Sequence, residues 1–318
     1  MRYIDSLKDG DRVTSVYLCK QKSTAVTKTG KEYENVIMQD KTGSLDCKIW
    51  DPGSSGIEDF DAMDYVEVTG RLTVFNGTLQ MSIERARKCS EGEYDQRDYV
   101  PVSSRPIDEM YNQLMGYINA FKNPYIRKLA ESFFVEDKEF IKKFKACSAA
   151  KSIHHGFMGG LLEHTTAVAR ICSTLGDFYP ILNKDLLVLS AILHDIGKVN
   201  ELSAFPLNDY TDEGQLIGHI VIGVEMVDEK LRDIPDFPKT LASEIKHCII
   251  AHHGEFEYGS PKKPALIEAL VLSMADNLDA KIEQMTEIFN ATDSDTWLGF
   301  NRLLESNIRK SSKDEYGR

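Results

Sequence analysis

The chain has 318 residues, 42% of them hydrophobic, enough length and apolar content for two packed domains, which excludes a disordered chain. Its formal net charge of −12 excludes a protein that coats nucleic acid through bulk positive charge, so a phosphate ligand would need local basic patches or bound metal. No apolar run approaches the roughly 18 residues of a membrane span, and the start, Met1 to Gly10, is polar, so no membrane partner and no export are expected.

From Asp11 to about Lys88 the chain alternates in short segments, RVTSVYLCK, EYENVIMQD, SLDCKIWD, YVEVTGRLTVF and TLQMSIERA, rich in β-branched and aromatic residues. They read as five strands. Asn76-Gly77 marks a type I′ hairpin between the last two, and Thr42-Gly43 a second turn. Five short strands fit a small barrel of the OB-fold type, and this domain is placed at residues 1–95.

The polar stretch from Cys89 to Arg105 breaks the alternation, and a linker is placed at 96–106. Helical patterning then takes over. Helices are expected over Ile107–Phe121, from Asn123-Pro124 as cap and first residue, and over Asp137–Lys145. Longer ones follow near Gly160–Phe178, Lys184–Ile196, Gln215–Arg232, Lys239–Ala251 and Pro264–Phe289, giving an all-α domain at 107–310 and a frayed tail at 311–318. Leu186 to Ile196 is apolar nearly all round, as a central helix would be, yet it ends in His194-Asp195. Six cysteines without any C-x-x-C pair suit reduced thiols and a cytoplasmic protein.

All eight histidines lie between His154 and His253. With nearby carboxylates they fall in LLEHT (His164), LHDIGK (His194, Asp195, Lys198), GHI (His219), AHHG (His252, His253) and MADNLDA (Asp276). Imidazole and carboxylate donors together take borderline divalent ions such as Mn, Fe, Co or Zn. His164, His194, Asp195 and Asp276 would complete one site, and His219 with His252, His253 or both a second, with Asp195 shared. Two such ions support hydroxide attack on a phosphoester. Lys198 follows Asp195 by one helical turn, where an ammonium can neutralise a phosphate oxygen or assist the leaving group.

The set His164, His194-Asp195 and Asp276 resembles the HD-domain phosphohydrolases. The longer strings IHHGFMGGLLEHT, LSAILHDIGKVNEL and AHHGEFEYGSPKKPALIEALVLSMADNLDA, with the preceding barrel, resemble the YhaM-type 3′-to-5′ exoribonucleases of Gram-positive bacteria over nearly the whole chain. The resemblance implies stepwise 3′-to-5′ hydrolysis of single-stranded RNA, and of single-stranded DNA, to nucleoside 5′-monophosphates, with a divalent metal such as Mn; Co, Fe, Mg and Zn are alternatives. The chain departs from the family at Ser273, where a histidine is frequent, and at Gly156, where an alanine is.

His154 and His155, before the glycines at the entry to the first ligand helix, are expected to meet substrate phosphate or protonate the leaving oxygen, with a helix-capping role as the alternative. Ser260 and Lys262 are expected at the substrate mouth, or else simply in a helix connection. On the barrel, Tyr33, Trp50 and Phe75 interleave with Lys20, Lys22, Lys28, Lys31 and Lys48, the pattern of a single-strand surface that stacks bases and follows phosphates. Lys28, Lys31, Tyr33, Trp50 and Phe75 are the expected contacts. Residues 1–95 hold 13 basic and 17 acidic side chains, so such a surface must be local. The other functional readings are an HD hydrolase of a small nucleotide (a deoxynucleoside triphosphate, cyclic dinucleotide or alarmone) and a non-catalytic nucleic-acid adaptor. Residues 107–145 could also serve contacts in a homo-oligomer.

Overall fold

Inward-facing apolar residues at every second position close the first strands on one core. A computed structural model describes residues 2–151, 156–292, 294, 296–302 and 304–311, and the chain divides into two separately packed units. Met1–Val102 with Phe205–Leu207 forms one, and Ser103–Ala204 with Asn208–Arg318 the other. His154, His155 and the tail from 312 onward lie outside the described residues.

The first unit holds β1 (Arg12–Val26), β2 (Glu32–Asp40), β3 (Gly43–Ile49), β4 (Tyr65–Phe75) and β5 (Thr78–Lys88), closed in the order β1-β2-β3-β5-β4. β3 and β5 pair in parallel and the other neighbours antiparallel, the topology of an OB-fold. β1 is long enough to pair with β4 through its first half and β2 through its second, with a bulge between Cys19 and Gln21 that turns it from one partner to the other. Val13, Tyr17, Cys19, Val36, Met38, Leu45, Cys47, Val68, Leu72 and Met81 fill the interior. Asn76 and Gly77, at φ 52° and 80°, make the tight hairpin that their sequence announces.

The stretch expected to be a linker is partly packed. Tyr99 and Val100 are each 2% exposed, Tyr99 stands edge-on to Tyr65 at 5.1 Å, and the first unit runs to Val102. Polar composition hid this because only two residues of the stretch carry the apolar contact.

The second unit is helical: α1 (Ile107–Ala120), α2 (Pro124–Glu131), a π-helical turn (Ser132–Glu136), α3 (Lys138–Ala146), α4 (Gly160–Phe178), α5 (Lys184–Leu193), α6 (Lys198–Glu201), α7 (Asp212–Leu216), α8 (His219–Arg232), α9 (Lys239–Ile250) and α10 (Ile267–Asn290). Side-chain caps start several of them, Asn123 accepting from Tyr125 N and Ile126 N, Asp137 from Phe140 N, and Asn183 from Leu186 N. Every residue of α5 from Leu186 to Leu193 is buried, and the helix packs against α1, α2, α4, α9 and α10.

Three expected helices are shorter than read, the one from Pro264 beginning only at Ile267. The one from Lys184 ends at Leu193 rather than Ile196, and the one from Gln215 is broken at Gly218, whose φ of 79° no continuing helix allows. A small hairpin, β6 (Trp297–Asn301) and β7 (Ser306–Arg309), follows α10 and was not expected. No described helix is long and apolar enough to cross a membrane.

Candidate metal centre

Because α5 is gripped on every side, the residues at its end are held in place. His194 and Asp195 are 0% and 2% exposed, and His194 Nδ1 lies 2.8 Å from Ala191 O. A carbonyl only accepts, so Nδ1 carries the proton and Nε2 keeps its lone pair.

Donors from α4, α8, α10 and the turn after α9 meet this point. His164 Nε2 lies 3.2 Å from His194 Nε2, 3.1 Å from Asp276 Oδ1 and 3.6 Å from Asp195 Oδ2, which is 3.4 Å from His194 Nε2. The other oxygen, Asp195 Oδ1, faces His219 Nε2 at 3.5 Å and His252 Nε2 at 3.6 Å. His253 packs beside them, ring centroids 4.2 Å from His252 and 5.2 Å from His219. Donor atoms of His164, His194 and Asp195 lie within 4.8 Å of one another, as do those of His219, His252 and His253. Asp195 thus presents one oxygen to each group.

The arrangement fits divalent cations. Asp195 Oδ1, His219 Nε2 and His252 Nε2 are buried without a hydrogen-bond partner among the described residues. Three such atoms converging on one point are costly unless a cation or water satisfies them, and a cation suits a set made wholly of acceptors. Both histidines of the adjacent pair belong to the cluster, His252 fully buried and His253 partly exposed.

Burial holds the rings of His252 and His253 below the usual imidazole pKa, which keeps them neutral and able to ligate. Burial alone would raise Asp195 and Asp276, but the Lys198 ammonium and His194 ring beside Asp195, and the His164 hydrogen bond to Asp276, outweigh it and keep both ionised. For His164, burial opposes charge, yet hydrogen bonds to Asp276 and Asp279 raise it to about 10. Carboxylates that favour a proton at that ring favour a metal cation there too, and the two compete.

Lys198 Nζ pairs with Asp195 Oδ2 at 2.6 Å and lines the same cavity of about 300 Å³ as His164, Asp195, His252, His253 and Asp276. Tyr258, Ser273 and Asn277 complete much of its wall. Gly197 lets α8 approach closely, since a Cβ there would lie 2.0 Å from His219 O.

Two carboxylates that bond to candidate ligands escaped the sequence reading. Asp279 lies 2.7 Å from His164 Nδ1, and Glu201 lies 2.9 Å from His219 Nδ1. The spacing of Asp276 and Asp279, one helical turn, was the available signal for the first; Glu201 carried none. Ser260, expected at the mouth, is 3% exposed with its hydroxyl 2.9 Å from Ile250 O and 3.0 Å from Lys262 O, so it braces its loop instead. Lys262 is exposed and is not among the residues lining the cavity.

On the barrel, Tyr33 and Trp50 stack at 5.0 Å and 27°, with Trp50 47% exposed. Phe75 is 61% exposed at the hairpin end, Lys28 is exposed, and Lys31 reaches Asp51 at 3.6 Å. Lys48 is tied to Asn35 and Asp46, and Lys22 to Glu34.

A histidine and an adjacent His-Asp pair at the end of a buried helix, closed by a distal aspartate, define an HD domain, and the family model described as HD domain matches residues 161–281. The 3′-5′ exoribonuclease YhaM of Bacillus subtilis (strain 168) is 34% identical over 278 residues, 87% of either chain, and that of Bacillus velezensis 33% identical over the same share. The chain belongs to the YhaM family. Among solved structures, the second OB-fold domain of replication protein A from Methanococcus maripaludis covers 29% of this chain and 98% of its own, at 17% identity and a TM-score of 0.24.

Proposed function

We propose that this protein is a divalent-metal-dependent 3′-to-5′ exoribonuclease that cuts single-stranded RNA, and single-stranded DNA, into nucleoside 5′-monophosphates in the cytoplasm. The observation that carries the reading is Asp195, whose two oxygens face two separate groups of imidazole donors in a cavity roomy enough for a phosphate. His164, His194, Asp195 and Asp276 would hold one ion, and His219, His252, His253 and Asp195 a second. Manganese suits this mixture of nitrogen and oxygen donors, with cobalt, iron, magnesium and zinc as alternatives. When bound, such ions supply the Lewis acidity that phosphoester hydrolysis needs at neutral pH.

The chain's own groups do the rest. Asp195 stays ionised because Lys198 stands against it, and Lys198 in turn stays cationic, since attraction to Asp195 overcomes the burial that disfavours its charge. Its ammonium on the cavity wall is placed to offset phosphate charge. His155 is our candidate for protonating the leaving oxygen and His154 for meeting substrate phosphate, on sequence grounds alone. Tyr33 and Trp50 offer a stacking platform that accepts any base, as a nuclease without sequence preference needs, with Phe75, Lys28 and Lys31 as further contacts.

Product chemistry tests this reading. Chromatography of digests of unlabelled single-stranded RNA with Mn should show nucleoside 5′-monophosphates accumulating from the first time point, and a 3′-phosphate should slow their release. Products of several nucleotides, or intact RNA beside phosphate release from a nucleotide panel, would overturn it.

A further inference from the structure

Within each group of donors one histidine is braced by a carboxylate and the others by backbone carbonyls. In the first group, His164 Nδ1 lies 2.7 Å from Asp279 Oδ2, whereas His194 Nδ1 lies 2.8 Å from Ala191 O. In the second, His219 Nδ1 lies 2.9 Å from Glu201 Oε1, whereas His252 and His253 rest on Ile249 O and Tyr258 O, each at 2.7 Å. Every Nδ1 therefore donates outward, which leaves Nε2 as the ring atom that can take a metal ion.

The two kinds of brace differ chemically. A carboxylate acceptor strengthens the Nδ1–H bond through its charge, holds the ring at a set angle and makes Nε2 a better donor than a neutral carbonyl does. The two carboxylates also come from different helices. Glu201 ends α6 and bonds to His219 of one group, and Asp279 lies on α10 and bonds to His164 of the other. Glu201 Oε1 additionally accepts from His219 N at 2.9 Å, so it fixes both the first residue of α8 and its ring. Asp279 acts on a ring inside α4, whose backbone needs no such help.

We infer that Asp279 and Glu201 are positioning residues that set the affinities of the two metal ions separately, Asp279 through His164 and Glu201 through His219. This rests on the two-ion reading proposed above. Neither residue is assigned a contact with substrate.

The test is calorimetric titration of the metal-free, full-length protein with Mn, repeated with Co so that visible absorption reports the ligand geometry. The wild type should show two binding events. Asp279→Asn should weaken one of them by roughly 10- to 100-fold and leave the other in place, with the change visible in the Co spectrum. Glu201→Gln should weaken the other event, and Asp279→Glu should recover part of the loss. Both events shifting together, or neither shifting by more than about twofold, would overturn the inference, given the magnitude expected of such braces. A single event in the wild type would overturn the two-ion reading beneath it, while RNA digestion remains a separate assay of the nuclease reading. Should Glu201→Gln fail to fold through loss of its second bond, Asp279→Asn alone decides, because selective loss of one event from two has no explanation in general unfolding.

Discussion

At the scale of residues, the centre is held by close contacts that leave little room for change. A Cβ on Gly197 would lie 2.0 Å from His219 O and 2.8 Å from Gly223 N, both backbone atoms that cannot swing aside. Gly197→Ala should lower the stability of the metal-free protein by about 3 kcal/mol, the upper range for forced overpacking. It should also weaken metal binding, because the displaced backbone carries His219. Urea denaturation checks the first and calorimetry the second; an unchanged unfolding midpoint would show that the two segments are not pressed together as described. The residues that gather at the centre were legible in the sequence because a His-Asp pair at the end of an all-apolar helix stands out from the core around it. Glu201 was not, since a glutamate in a short polar helix looks like any solvated one until His219 is folded onto it.

At the scale of elements, α3 and α8 are joined through one charge. Asp137 caps α3 by accepting from Phe140 N, and its other oxygen accepts from Lys230 Nζ at 2.7 Å. The Lys230 hydrogen bond, followed by that of Phe140 N, holds its carboxyl below the ordinary range. A depressed folded-state pKa stabilises at pH values above the unfolded value, near about 4, and that contribution is lost as pH falls through the folded value. Asp137→Asn keeps a capping oxygen and removes the charge. It should therefore cost about 1 kcal/mol or less at neutral pH and nothing at strongly acid pH. Chemical denaturation of both proteins across this range checks it, and a difference that persists in acid would refute the assignment.

The barrel offers a second test at this scale. Trp50→Ala removes half of the Tyr33–Trp50 stack and should weaken single-stranded oligonucleotide binding by about 1 to 3 kcal/mol, as loss of one base platform does, without altering metal affinity. Fluorescence anisotropy reads the binding; unchanged affinity would move the single-strand surface elsewhere on the barrel. Strand alternation and the Asn76-Gly77 turn made this domain readable from sequence, because each inward position repeats a simple period. The β6–β7 hairpin was not readable, since Trp297 and Phe300 are both exposed and no alternation marks the strand. The break at Gly218 was hidden for a related reason. A glycine inside a helical pattern is tolerated often enough that only the fold shows which one stops the chain.

At the scale of the whole molecule, the net charge of −12 and the proposed RNA substrate are reconciled if cationic charge is concentrated at the centre, on Lys198 and the proposed ions. Ions that bind the folded chain and not the unfolded one also stabilise it by mass action, so chelation should lower the melting temperature as well as abolish activity. Thermal melts with and without a chelator check this, and an unaltered melt would argue against ions held by His164, His194 and Asp195 together. If Asp195 joins two metal sites that degrade RNA from its 3′ end, a denaturing-gel time course of 5′-labelled single-stranded RNA with Mn will show it. The wild type should give a descending ladder that Asp195→Ala abolishes while remaining folded. A ladder that persists in Asp195→Ala, or RNA left intact by the metal-loaded wild type, would show that Asp195 does not hold such a centre.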